Sequence, residues 1–216
     1  AFVPEADVLL VESTYGDRLH PADDDGAMLA RIINETSQAG GKVIIPAFAL
    51  GRVEELLYWI KYLEDRRAIP HLPVYVDSPM AEEALAFYSQ RSHELDPEIG
   101  ERGRAVRAFA TRRFTVTRSS QESKQLTAST LPSIVISASG MATGGRVLHH
   151  LRAMAPDQRH HIVFPGFQVA GTRGARLVAG EREVKIFGEM VPVRADISHL
   201  EGFSGHADAD ELMQWL

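Results

Sequence analysis

Short β-branched apolar runs alternate along this chain with amphipathic stretches at helical spacing. The run 42–46 is followed by Val53, Leu56, Leu57 and Ile60, which predicts a strand and then a helix over about 50–63. The stretch "LPVYVDSPMAEEALAFYSQ" repeats the theme: a strand at 74–77, Ser78 as N-cap, Pro79 at the first helical position, and a helix to about 89. A third unit has a strand at 133–137 and a helix at 144–154, and "HHIVFPGFQVAGTRGARLVAG" reads as a fourth. An opening strand at 7–12 leads to a helix at about 25–39. Late in the chain, "VKIFGEMVPVRADISHL" reads as two short strands around a Gly turn, forming a hairpin or returning the chain to another sheet. The stretch 91–118 is polar and irregular, with room for a short helix or a cap over the sheet.

Such alternation implies right-handed crossovers and an α/β fold, with a mostly parallel sheet covered by helices on both faces. The loops leaving parallel strands emerge on one edge, where ligands bind. Four of these loops, "PAFALGR", "DSPMA", "SASGMATGG" and "PGFQVAGTRG", are rich in small or polar residues. Backbone N–H groups at Gly-rich helix starts bind phosphate, although glycine serves tight turns equally well. Arg52, Ser139, Gly140, Gly144, Thr172 and Arg173 are the phosphate-binding candidates in these loops.

Composition narrows this picture. Hydrophobic residues make up 44% and charged residues 24%, ordinary for a globular protein. No apolar run approaches the ~18 residues of a membrane span, and the first residues lack a secretory pattern. Opening on Ala1 with a strand almost at once suggests a piece of a longer chain. With no cysteine there is no disulfide or thiolate metal site, and a cytoplasmic location fits. The net charge, 23 − 29 = −6, does not announce a nucleic-acid binder. Locally, however, Arg102, Arg104, Arg107, Arg112, Arg113 and Arg118 crowd one segment around Phe109 and Phe114. The cluster reads equally as a surface for phosphates and stacked bases or as a solvated cationic face.

One motif is harder to account for. "FSGHADADEL" opens a helix with Ser204 and Gly205, and an acid in the first turn suits the dipole, but His206 is surplus to that need. Glu12 ends the first apolar run, so it lies at the working edge unless it is a plain strand-end acid. Of His149 and His150, one faces solvent and one packs; His160 and His161 read as surface or hinge residues. His199 suits a strand end, and His71 and His93 look incidental. No HxH, HxxxH or HExxH pattern occurs, so no metal ligand is assigned.

In order, "VESTYGDRLH", "PAFALGRVEELL", "DSPMA", "SGMATGGRVLHHL", "GTRGARL" and "FSGHAD" resemble the metallo-β-lactamase/β-CASP nucleases over nearly the whole chain. The resemblance implies an αββα metallo-β-lactamase domain holding two zinc ions, with a β-CASP domain inserted into it and RNA cut in the cleft between them. Glu12 matches the family's motif A acid and His206 its motif B histidine. The histidine would donate a proton to the leaving oxygen, with Glu12 fixing its tautomer. Ser204, Gly205 and the glycine-rich loops would grip neighbouring phosphates. The family's metal-binding HxHxDH, later His, bridging Asp and motif C His have no counterpart here. The implied layout is a lactamase stub at 1–16, a β-CASP domain at 17–203 and a second stub at 204–216. Such a piece would be inactive alone. Its expected partners are single-stranded RNA, its own lactamase domain and a second copy in a homodimer, with no membrane. A non-catalytic RNA-binding or scaffold relative is the alternative, and a mononucleotide-binding α/β domain a third reading.

Overall fold

The computed structural model describes residues 5–22, 24–91, 94, 109–203 and 205–216. Its helices are α1 (Ala27–Gln38), α2 (Arg52–Asp65), α3 (Pro79–Gln90), α4 (Ser120–Ala128), α5 (Val147–Met154), α6 (Arg173–Val178) and α7 (Ala209–Trp215). Its strands are β1 (Lys42–Pro46), β2 (Val74–Val76), β3 (Phe114–Val116), β4 (Ser133–Ser137), β5 (His161–Pro165), β6 (Glu183–Ile186), β7 (Glu189–Pro192) and β8 (Asp196–Leu200). Six strands form one sheet in the order β3-β2-β4-β1-β5-β8, and every pair in it is parallel. The α/β sheet expected from the alternation is present. Both outcomes allowed for the late segment occur together: β6 and β7 form an antiparallel hairpin, and β8 returns the chain to the main sheet.

The central strands are apolar throughout because both their faces are covered. Side chains alternate across the sheet. Val43, Ile45, Ile134 and Ile136 meet α1, α2 and α3 on one face. Ile44, Val135, Ile162 and Phe164 meet α4, α5, α6 and the hairpin on the other. The β1 connection runs toward β2 through α2, whereas the neighbouring β5 runs toward β8 through α6. The loops after β1 and β5 therefore part in opposite directions, which opens a crevice between their C-termini, the usual ligand position in such sheets.

Three expectations need correction. Residues 7–12 form no strand; Val8 and Leu10 are 79% and 88% exposed. An extended segment becomes a strand only when a neighbour satisfies its backbone groups, and among the described residues only Tyr15 bridges, to Asp208. His161 lies within β5 and is buried, with Nε2 2.8 Å from Ser198 Oγ, so it is no surface residue. Half-buried His160 accepts from the Lys42 N–H through Nδ1 at 2.9 Å, bracing the start of β1. The third helix begins at Val147 rather than 144, because Gly145 takes φ +80° in a turn where a Cβ would stand 2.6 Å from Ala138 O. No helix among the described residues is long and apolar enough to cross a membrane.

Lys42 opens β1 and is 1% exposed, with Nζ donating to Leu126 O at 2.7 Å. Burial pushes its ammonium down to about 8 from an ordinary 10.5. Between those values the unfolded chain still holds the proton while the folded one has released it, so stability rises with pH there. From pH 7.5 to 10.5 the wild type should gain about 3 kcal/mol relative to Lys42→Met, measured by urea denaturation. Parallel curves for the two proteins would show that the buried amine does not titrate this way.

Candidate functional site

Residues from opposite ends of the chain meet beside the crevice. Tyr15 bridges Asp208, the His20 N–H donates to Asp208 Oδ2 at 3.0 Å, and the Ala209 N–H donates to Arg18 O at 3.0 Å. Asp208 also caps α7, accepting from the Glu211 N–H while Glu211 accepts from the Asp208 N–H. Tyr15 is buried and makes edge contacts with His20, Phe167 and His206 at 5.3, 5.8 and 6.1 Å between ring centroids. Phe167 lies two residues past β5, so Tyr15, in contact with both rings, brings His206 toward the crevice.

Within this junction the Glu12 carboxylate stands 3.3 Å from His206 Nδ1, across 194 positions of sequence. It also accepts from the Thr14 N–H at 3.0 Å and the Ala207 N–H at 3.1 Å. The Thr14 N–H, ahead of Ala207 and the His206 charge, holds the Glu12 carboxyl below its usual range, against a weaker opposing effect of desolvation. Both side chains remain open to solvent, His206 by 52% and Glu12 by 43%. His20 Nε2 lies 2.8 Å from His206 O, which braces the histidine's main chain.

The loop candidates line the same edge, and several of their side chains are occupied with holding it. Arg52 is largely buried, ion-paired with Glu55, and reaches toward Gly166. Ser139 Oγ accepts from the Thr143 N–H at 3.1 Å and closes its own loop. Gly140 packs closely, since a Cβ there would stand 3.0 Å from Phe48 N. Gly144 and Gly205 have open space where a Cβ would go. Thr172 caps α6 by accepting from the Ala175 N–H at 3.2 Å. Arg173 donates through Nε to Lys185 O at 2.9 Å and through Nη1 to Ala142 O. Ser204 lies outside the described residues, as do Arg102, Arg104, Arg107 and His93. Of the aromatics among those arginines, Phe109 is buried and Phe114 is partly buried against the core. Arg118 pairs with Glu82 at 2.9 Å.

A polar centre at the end of β2 was not singled out from the sequence. Asp77 is fully buried and accepts from Ser123 Oγ at 2.6 Å and Arg146 Nη1 at 2.8 Å, with His150 Nε2 at 2.7 Å. Arg146 donates onward to Thr117 O and Arg118 O, and Thr127 Oγ1 lies 3.1 Å from His150 Nδ1. The centre thus ties β2, α4 and α5 to the loop after β3. Its signal was available: Asp77 ends an apolar strand, and His150 shares the buried stripe of Val147, Leu151 and Met154. The solvent-facing partner is His149, as expected of the pair.

A metal finds poor accommodation here. Among the described residues, His20, Asp208 and Glu211 are the only such group with potential ligand atoms within 4.8 Å of one another. Those atoms already serve the α7 cap and the His206 carbonyl. Its three side chains match only the ligand number of an open zinc site, and with those atoms committed to other bonds the cluster does not fit one.

Residues 53–177 match the model of the Beta-Casp domain. The chain belongs to the β-CASP family. Residues 190–216 match the Zn-dependent metallo-hydrolase RNA specificity domain. Ribonuclease TTHA0252 of Thermus thermophilus is 40% identical over 215 residues, 99% of this chain and 49% of that protein. Transcription termination factor FttA of Methanocaldococcus jannaschii is 32% identical over 99% of this chain and 35% of its own length; that of Pyrococcus abyssi is 33% identical over 99% and 34%. The β-CASP chain spans between a third and a half of these relatives.

Burial opposes ionisation of Asp77, but hydrogen bonds from His150, Ser123 and Arg146 outweigh it and hold the carboxyl below its usual range. That contribution is present above the unfolded value near 3.8 and is lost as pH falls through the lower folded value. Asp77→Asn should destabilise by roughly 3–5 kcal/mol at pH 7, the cost of breaking a buried charged pair on one side. In urea denaturation its deficit should shrink below pH 4. A loss under ~1 kcal/mol would reduce the centre to ordinary surface-type pairing.

Proposed function

We propose that this chain is the RNA-gripping part of a metal-dependent ribonuclease and that it contributes the proton donor of phosphodiester hydrolysis. The carrying observation is the Glu12–His206 pair beside the β1–β5 crevice. With Nδ1 against the carboxylate, Nε2 is the nitrogen from which a proton would pass to the leaving oxygen as water's hydroxyl joins phosphorus. Glu12, held ionised by two backbone N–H groups, would orient the ring. Neighbouring phosphates would lie on the backbone of the loops after β1, β4 and β5, and Ser204 and Gly205, just ahead of His206 in the sequence, would add to that grip. Arg52, Ser139, Gly140, Gly144 and Thr172 would act there chiefly by shaping that backbone, and Arg173 would add its charge.

The family description includes zinc dependence. The donor set here does not fit zinc, so two zinc ions, supplying an activated water, would be held by residues of a metallo-β-lactamase domain outside this chain. Support comes from exposed apolar side chains near the junction: Val8, Leu9 and Leu10 on one segment, Met213 and Trp215 on α7. A covering domain would bury them. On this reading residues 1–16 and 204–216 belong with that domain and 17–203 form the β-CASP unit.

The chain should bind single-stranded RNA in preference to mononucleotides, and log K should fall against log salt by about 0.7 per phosphate contacted. After incubation with zinc and desalting it should retain none by elemental analysis and cleave no RNA. Stoichiometric zinc would overturn the assignment of the metal to residues elsewhere; absence of RNA binding at low salt would overturn the clamp. In a longer chain carrying the metal site, His206→Ala should lower kcat by 10²–10⁴-fold, the usual worth of a proton donor, and abolish the corresponding limb of the pH profile.

A further inference from the structure

The hairpin β6–β7 turns through two residues, Phe187 and Gly188, with φ +50° and +86°. Both central residues of this tight turn lie in the left-handed region, which favours Asn or Asp followed by Gly. A bulky aromatic there is disfavoured. Nor does burial explain the ring, which is 49% exposed. It packs against the exposed His149 of α5, centroids 4.6 Å apart and planes tilted by 37°, so two aromatic rings stand together at the surface.

Below Phe187 lies a cleft of about 370 Å³ lined by Thr143, Thr172, Arg173, Arg176, Lys185 and the hairpin tip. Its charge is positive. Glu181 is taken up by Arg176 at 2.8 Å, and Glu189 by Arg152 at 2.6 Å. Lys185 is exposed and has no ion pair among the described residues, and Arg173 is bound to carbonyls rather than acids. Burial, with the neighbouring Arg176 charge, pushes the Arg173 guanidinium down, a pressure that an anion would relieve. A short run of chain links the cleft to the junction. Phe167, against Tyr15 and hence His206, is six residues before Arg173, a chain length that spans at most about 20 Å.

We propose that this cleft is a subsite for single-stranded RNA, in which Phe187 stacks on a base and Lys185 and Arg173 receive the adjoining phosphate. It rests on the RNA reading above and extends it from Arg173, in the loop after β5, to Lys185 and Phe187 of the hairpin. A cationic groove with an aromatic platform is the arrangement that binds single strands without regard to sequence. A strand leaving His206 would follow the loop after β5 and arrive at the hairpin a few nucleotides later.

The test uses the 216-residue chain, a labelled oligouridine and fluorescence anisotropy at low salt. Phe187→Asn removes the ring while suiting the turn, so thermal melting should show no loss of stability. Binding should nonetheless weaken roughly ten-fold, the worth of stacking one base. An abasic oligomer of the same length should bind wild type and Phe187→Asn equally. Lys185→Gln should flatten the salt slope by about 0.7. If the wild type binds and neither variant differs from it, the subsite is wrong while the RNA reading stands. If the wild type binds no RNA, the RNA reading falls and the subsite falls with it.

Discussion

All six strands of the main sheet run the same way, and almost everything else follows from that constraint. Parallel strands need crossovers, the crossovers cover both faces, and the covered strands must be apolar from end to end. Every strand's C-terminal loop then leaves on one edge. The edge cannot be apolar, because its backbone N–H and C=O groups lie beyond the sheet and need partners. Ser139, Thr172, Arg173 and Arg146 supply many of them. Polar side chains thus accumulate at this edge for structural reasons, before any ligand is considered.

This double duty explains which parts of the molecule could be read from its sequence. The strands at 42–46 and 133–137 were legible because burial on both faces leaves an unbroken β-branched run. The short strand at Phe114 was not. Three residues in an arginine-rich stretch carry no pattern of their own, and their pairing comes from β2. The helix Ser120–Ala128 was missed because its buried residues are only Ser123 and Leu126. Residues 7–12 failed in the opposite sense: the apolar run is real, but periodicity says nothing about whether a neighbouring strand exists to receive it.

The site was legible in a different way. Nothing in the spacing around Glu12 or around His206 says that they meet; the resemblance alone paired them, and the geometry has them 3.3 Å apart. Local reading did better for shape than for role. It found the phosphate-like loops, yet it could not tell that Gly145, rather than Gly144, is the residue the turn requires. Nor could it foresee that the aromatics of the arginine segment would enter the core, while Phe187 would be held out in solvent.

The exposure of the Glu12–His206 pair bears on how it would work. A carboxylate and an imidazole half open to water are screened and gain little from each other. Their geometry is nevertheless tightly held: two backbone N–H groups grip Glu12, His20 braces the His206 carbonyl, and Tyr15 is wedged between the rings. Fixing groups this firmly while leaving them wet is of use chiefly if another surface later excludes the water. Once dry, the same contacts strengthen without further reorganisation. The apolar side chains exposed along residues 8–11 and on α7 flank this junction and mark where such a surface would sit. On the proposed function, the β-CASP chain provides a pre-shaped proton donor and an RNA path, and the electrostatic strength of the donor arrives with its cover.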